Sequence, residues 1–498
     1  MPEYSKIEFW RNIRRRLERL PMLRALVPFV VGIIIADVVT LPLWGVAIGF
    51  VVCSVMAAAR YRHSLADVYI IVALLLVGVL SMELRQASTT APATRTTMEI
   101  LVEKITSTRP RSTMADARLV AYTSDQEPVK SRAEVRLVAQ PSLEIEAGER
   151  LLVDATIMPF DEEDYYGRYM LSQGVAGQIF LSADNLLQRH PSDSSLAQRL
   201  RSWGVERLQR LHLKSDSEAV VLAMSIGERS GISPTIRQAY TRGGAAHLLA
   251  VSGLHVGFVC VVANLLLAWM ILFRHGQLLR SVLVIVLIWL FAAMAGFTPS
   301  VVRAAVMFTI LQAAMQLASR TDTLNTLCLT AFVMLVWDAR TLWDAGFQLS
   351  FLAVAAIIEW GTPLFPRRRR GVVAWCWRWL ASGVVTSAVA TVATLPLTAY
   401  LFGSVSLWSI LTGTAMVALA GVVVAGAMVW ILLPVGALQS VAAWAIGGCA
   451  DIMNGIASWC AEQGVLALDF RIGEGACWAV YSLLAVVSVI VWASRGKN

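Results

Sequence analysis

WSILTGTAMVALAGVVVAGAMVWILL, residues 408–433, runs for 26 residues without a charged side chain. At a rise of ~1.5 Å per residue such a helix outreaches the ~30 Å hydrocarbon layer of a bilayer, so it reads as a membrane span. Similar runs recur through the chain, near 22–39, 42–59 and 66–83, then near 246–273, 281–297, 300–318, 324–337, 345–361, 375–401, 437–459 and 476–493. The 498 residues are 57% hydrophobic and 15% charged, with a mean hydropathy of +0.63. Soluble domains are roughly 45–50% apolar and about 25% charged, so a soluble enzyme or binding module is excluded. The fold class expected is a polytopic α-helical membrane protein of about 12 spans.

Basic residues give the orientation. Arg11, Arg14, Arg15, Arg16, Arg19 and Arg24 precede the first run, and Arg60 and Arg62 separate the second from the third. Both places are cytoplasmic by the positive-inside rule, which puts the chain after residue 84 outside. Nine further spans starting outside end inside, and Arg274, Arg280, Arg320, Arg367 to Arg370, Arg495 and Lys497 all fall on the cytoplasmic side of that count. Both termini are then cytoplasmic, and the charged N-terminal region with its uncleaved first run reads as an anchor. The seven cysteines lie in or beside apolar runs without a CxxC pair, as packing residues do.

Between residues 85 and 190 the pattern changes to short alternating runs: MEILVEKI, ARLVAYT, AEVRLVA, RLLVDATI and VAGQIFL. Turn signals between them, such as Arg109-Pro110 and Ala147-Gly148, predict about five strands. A small inserted β-barrel of OB type is expected, a fold that often binds oligonucleotides. Residues 95–189 carry 15 Asp/Glu against 11 Lys/Arg, with the cluster DEED at 161–164. A groove following phosphates should be basic, so a structural extracytoplasmic domain stands beside the DNA-binding reading.

SLAQRLRSWGVERLQRLHLK (195–214) spaces Leu196, Leu200, Trp203, Leu208 and Leu211 along one helical face. Arg199, Arg201, Arg207, Arg210 and Lys214 surround it, and Arg229, Arg237 and Arg242 follow. Residues 191–245 therefore read as a basic amphipathic region at the outer membrane surface, either binding lipid alone or forming a basic collar around a pore. The domains expected are 1–84, 85–190, 191–245 and a nine-span block over 246–498.

Polar groups inside a bilayer cost about 2.5–3.5 kcal/mol when charged, so they mark candidate sites. In HLLAVSGLH (247–255), Ser252 and His255 share a helical face, as a nucleophile and base would. No orienting acid stands at helical spacing, and the spacing of His247 and His255 lacks a third metal ligand. Three readings remain: an intramembrane site, a structural histidine pair, and a polar break lining a pathway, with Gly253 letting the backbone leave the helical pattern. Arg303, one turn inside the run that begins at Pro299, either snorkels to the outer interface or faces phosphate in a pore. Asp322 and Asn325 suit a helix cap or a functional role, Gln348 and Ser350 open another span, and Asp451 and Asn454 lie one turn apart deep in a run.

Taken in order, AHLLAVSGLHVGFV (246–259), TPSVVRAAVMF (298–308), DTLN (322–325) and WDARTLWDAGFQLSF (337–351) resemble the ComEC family of competence proteins, inner-membrane channels for DNA uptake in bacteria. DYYGRYMLSQGVAG (164–177) extends the likeness toward the N-terminus. The resemblance implies transport of single-stranded DNA across the cytoplasmic membrane during natural transformation. It also implies a DNA-receptor protein outside; the absence of a GxxxxGK[ST] phosphate loop predicts a cytoplasmic motor or single-strand-binding partner, the apolar runs and the amphipathic helix imply membrane lipids as partners, and a homo-oligomeric pore is a further option. His247, Ser252, Gly253, His255, Arg303, Asp322, Asn325, Gln348 and Ser350 fall in its signature blocks. Many members add a C-terminal β-lactamase-like domain. The six histidines here contain no HxHxDH and the chain has no GxxxxGK[ST], so neither a nuclease nor an ATPase is expected, a separate nuclease being a partner instead. No cofactor and no metal are expected. The competing readings are an intramembrane hydrolase built on Ser252 and His255, and a small-solute permease.

Overall fold

The computed structural model describes residues 11, 14, 18–39, 41–60, 65–86, 92, 94–109, 112–124, 127–143, 145–161, 167, 170–171, 173–190, 196–316, 322–365, 371–403, 405–432, 436–463, 467–468 and 470–494. Arg62, Arg320, Arg367 to Arg370, Arg495, Lys497 and most of the DEED cluster lie outside these residues.

A helix stands at each apolar run. They are α1 (Pro21–Val38), α2 (Leu43–Ala59) and α3 (Ala66–Gln86), followed after the sheet by α4 (Leu196–Gln209), α5 (Ser215–Ile226) and α6 (Pro234–Arg242). The second membrane block contains α7 (Gly253–Leu266), α8 (Gly276–Met294), α9 (Pro299–Gln316), α10 (Thr323–Trp337), α11 (Ala345–Ala356), α12 (Val372–Phe402), α13 (Ser409–Leu432), α14 (Gln439–Gln463) and α15 (Glu474–Ser494). Among the described residues six helical segments are long and apolar enough to cross a membrane: Pro21–Val38, Ala66–Leu84, Gly276–Met294, Ala345–Leu364, Val373–Phe402 and Ser409–Leu432. Four shorter apolar helices, Leu43–Ala59, Gly253–Leu266, Thr323–Trp337 and Glu474–Val489, accompany them. The protein is thus a helical membrane protein. The run near 246–273 is not one helix: a 3₁₀ turn at Ala246–Leu249 and an extended link lead into α7.

The chain divides into two compact units. One comprises Ala25–Leu196 with Phe332–Asp344 and holds the sheet; the other comprises Met1–Arg24, Ala197–Ala331 and Ala345–Asn498.

In the first unit the strands are β1 (Thr96–Arg109), β2 (Ser112–Ser124), β3 (Glu127–Lys130), β4 (Glu134–Ala139), β5 (Arg150–Ala155), β6 (Val175–Leu181) and β7 (Leu186–His190). They pair in the order β6-β4-β2-β1-β5-β7, with β3 added to β2. All pairs are antiparallel except β4 with β6. An isolated bridge from Met158 to Gln178 brings the segment after β5 onto β6. Five strands match the alternating runs, which bury every second residue against Ile100, Leu119, Leu137, Leu151 and Ile179. Strands β3 and β7 were not read from the sequence, because almost all of their residues are exposed and no buried face imposes alternation.

The second unit packs around α5, whose residues Ala219–Ile226 are all buried together with Ser217. A helix apolar on every side belongs in an interior, and here Val220, Ala223 and Met224 join Tyr240, Val256, Val284, Ile288, Met416, Val423 and Met453 in one core. The surface character expected over residues 191–245 therefore does not extend to α5. Gly227 closes the helix in the left-handed region at φ 81°, where a side chain would be strained.

Candidate functional site

The structure brings Ser252, Gly253, His255 and Arg303 together around the start of α7, whereas Asp322 and Asn325 stand apart at the start of α10. Ser252 is extended at φ −118°, ψ 171°, and Gly253 is the first helical residue. The backbone N–H of Ser252 donates to His255 Nδ1 at 2.9 Å. This turns the fully buried His255 ring into a cap for its own helix. An imidazole accepting at Nδ1 carries its proton on Nε2 when neutral, and Nε2 is buried without a partner among the described residues. Ser252 Oγ lies 3.5 Å from the same Nδ1, but a general base needs a free lone pair, and the backbone N–H already takes it. His247 is exposed, and its ring bonds the backbone of Gly244.

Arg303 lies against Gly253. It is 3% exposed, one Nη donates to Ser300 Oγ at 3.2 Å, and its Cζ sits 5.4 Å from the centre of the Phe351 ring. A β-carbon on Gly253 would approach Arg303 Nη2 to 3.2 Å and Ala304 Cβ to 3.4 Å. The glycine is needed here for close approach. The backbone break expected of it falls just before, at residues 250–252. A buried arginine has not snorkelled, and among the described residues it makes no ion pair.

The other polar candidates take structural partners. Asp322 accepts from the N–H groups of Leu324 at 2.9 Å and Asn325 at 3.3 Å, which caps α10. Asn325 Oδ1 accepts from Met22 N at 2.9 Å. Asp451 is held by Lys214 Nζ at 2.6 Å and by Ser217 Oγ, while Asn454 accepts from Tyr240 Oη at 2.9 Å. This pair therefore fastens α14 to α5 and α6. Gln348 and Ser350 are half-buried on α11, which also carries Phe351 one residue after Ser350.

The basic collar is partly neutralised. Arg201 pairs with Glu228 at 3.0 Å, Arg210 with Glu206 at 2.6 Å, and Lys214 with Asp451. Burial alone would raise the Glu228 carboxyl, but hydrogen bonds from Ser230 and the Arg201 guanidinium outweigh it and hold it below the usual range. Arg207 lies over the Trp203 ring at 5.5 Å. Arg229, Arg237 and Arg242 are exposed, and Arg229 feels the charges of Arg237 and Arg201, so Arg201, Arg229 and Arg237 share one neighbourhood.

A second polar seam was not read from the sequence. Arg280 donates to Asn264 Oδ1 at 2.8 Å, Ser281 Oγ to Gln312 at 3.3 Å, and Gln316 to Ser281 Oγ at 2.6 Å, joining α7, α8 and α9 at the end away from Arg303. Its signal was available: Gln312 and Gln316 stand four apart in the last two turns of α9, among apolar residues.

A family model described as "Competence protein" matches residues 224–495. ComE operon protein 3 of Bacillus subtilis (strain 168) is 31% identical over 207 residues, covering 41% of this chain and 25% of that protein. Competence protein ComA of Neisseria gonorrhoeae is 27% identical over 299 residues, covering 56% of this chain and 38% of that protein. The chain thus spans well under half the length of these relatives. No solved structure matches.

Proposed function

From the premise that the chain belongs to the competence-protein family, we propose that it carries single-stranded DNA across the bacterial cytoplasmic membrane during natural transformation. The observation that supports this most is Arg303, a cation enclosed in the membrane block with no carboxylate partner among the described residues. A strand carries one negative charge per phosphate, and a wall made only of apolar groups would leave those charges unbalanced.

In this reading the helices after residue 246 form the pathway, and both termini are cytoplasmic. The exposed Arg229, Arg237 and Arg242 form the outer basic collar that gathers the polyanion. The sheet is an OB-type barrel outside the membrane. Its order β6-β4-β2-β1-β5, with one parallel pair and the Met158–Gln178 bridge drawing β5 toward β6, supports closure. A receptor would deliver DNA outside, and a motor and single-strand-binding proteins would act on the cytoplasmic side.

An import assay that scores labelled DNA reaching the cytoplasm separates this reading from a hydrolase. Arg303→Ala should reduce import at least tenfold, whereas Ser252→Ala should change it less than threefold, since the backbone rather than the hydroxyl of Ser252 holds His255. The reverse order would replace the channel with the intramembrane enzyme.

A further inference from the structure

Among the described residues no carboxylate pairs with Arg303. It lies near the start of α9, and its Nη2 is beside Gly253, the first residue of α7. Each helix start carries about half a positive charge from its aligned peptide dipoles. A guanidinium 97% removed from solvent therefore sits beside two positive helix ends, with no carboxylate among the described residues to offset it. An uncompensated buried charge of this kind is strongly destabilising. Hydrogen bonding is incomplete as well: Arg303 Nη1 and the hydroxyl of Thr298, just before α9, are buried without partners among the described residues.

We propose that Arg303, Thr298 and the N-terminus of α7 at Gly253 form a binding subsite for a phosphate oxyanion, specifically one phosphodiester of a DNA strand. This rests on the DNA-transport reading for its occupant, but the site itself rests on the geometry. The guanidinium fork suits two oxygens of a phosphate, and helix N-termini bind phosphates through their free N–H groups. Gly253 keeps the approach open, because an added methyl would stand 3.2 Å from Nη2. Phe351 covers one face of the guanidinium, so a strand would have to displace this ring to reach it. The ring and the cation make the site a closed position along the path.

The test uses the full chain in lipid nanodiscs with a labelled oligothymidylate, its methylphosphonate analogue and inorganic phosphate as separate probes. Arg303→Gln should weaken oligothymidylate binding about tenfold and lower the slope of log affinity against log salt by about 0.7, the value for one single-strand phosphate contact. Arg303→Lys should fall between, since it keeps charge without the fork. Gly253→Ala should weaken binding several-fold while leaving the melting temperature near that of the parent, which separates blocked access from misfolding. The uncharged methylphosphonate strand should not distinguish Arg303→Gln from the parent. Equal oligothymidylate affinity and salt slope in the parent and Arg303→Gln would overturn the subsite. Arg303-dependent phosphate binding in a protein whose deletion leaves DNA import intact would retain an oxyanion site and remove the DNA strand as its occupant.

Discussion

At the scale of single residues, the same side-chain types do different work according to what lies beside them. Arg303 and Arg201 illustrate this: the first donates to Ser300 and lies over the Phe351 ring with no carboxylate partner among the described residues, while the second donates to Glu228 and to the carbonyl of Gly227. The sequence marks both as arginines near polar turns and cannot rank them, because partner choice depends on chain segments far apart. Glu228 provides a check outside the membrane spans. Its folded carboxyl is held below the ordinary value of about 4.3. The stability it contributes is therefore present above that ordinary value and is lost as pH falls through the lower folded one. Glu228→Gln should lower stability by about 1 kcal/mol at neutral pH, as expected for a partly exposed pair. Thermal melts should show that difference shrinking to nothing in strongly acidic buffer; a difference independent of pH would assign the loss to packing.

At the scale of elements, periodicity reveals what is apolar and says little about what approaches closely. The three N-terminal helices are plain in the sequence, yet the fit between α1 and α3 depends on two glycines no pattern singled out. A β-carbon on Gly32 would collide with the carbonyl of Leu75, and one on Gly78 with the carbonyl of Phe29. Small residues permit such close crossings in membranes, where helices gain little from burying apolar faces. Gly32→Ala should cost about 1–3 kcal/mol by overpacking, read as a lower melting temperature of the purified protein. Gly45→Ala, whose new methyl would meet only Pro42 Cγ at 3.6 Å, should be neutral; equal effects would show that the crossing is not tight. The same limit explains α5. Its sequence follows a basic amphipathic helix and was read with it, but Ala219 to Ile226 are apolar apart from Ser225 and buried all round. The five longer strands were legible because each buries alternate residues; the short exposed β3 and β7 were not.

At the scale of the whole molecule, composition alone establishes a membrane protein, and the ordered signature blocks of the sequence point to DNA uptake. What the sequence left unresolved was the division of labour among those blocks. Asp322, Asp451 and Asn454 stabilise helix starts and crossings, His255 caps α7, and Arg303 alone among the polar candidates is enclosed with its charge unanswered within the described residues. Hydrogen-bond partners separated by more than 200 residues, such as Ser217 with Asp451 and Tyr240 with Asn454, are invisible to local patterns. In a naturally transformable host whose own copy of this gene is deleted, DNA labelled outside the cell should remain outside or at the surface, with cytoplasmic label restored by the parent chain. Unchanged cytoplasmic label after deletion would contradict the account and favour a small-solute permease.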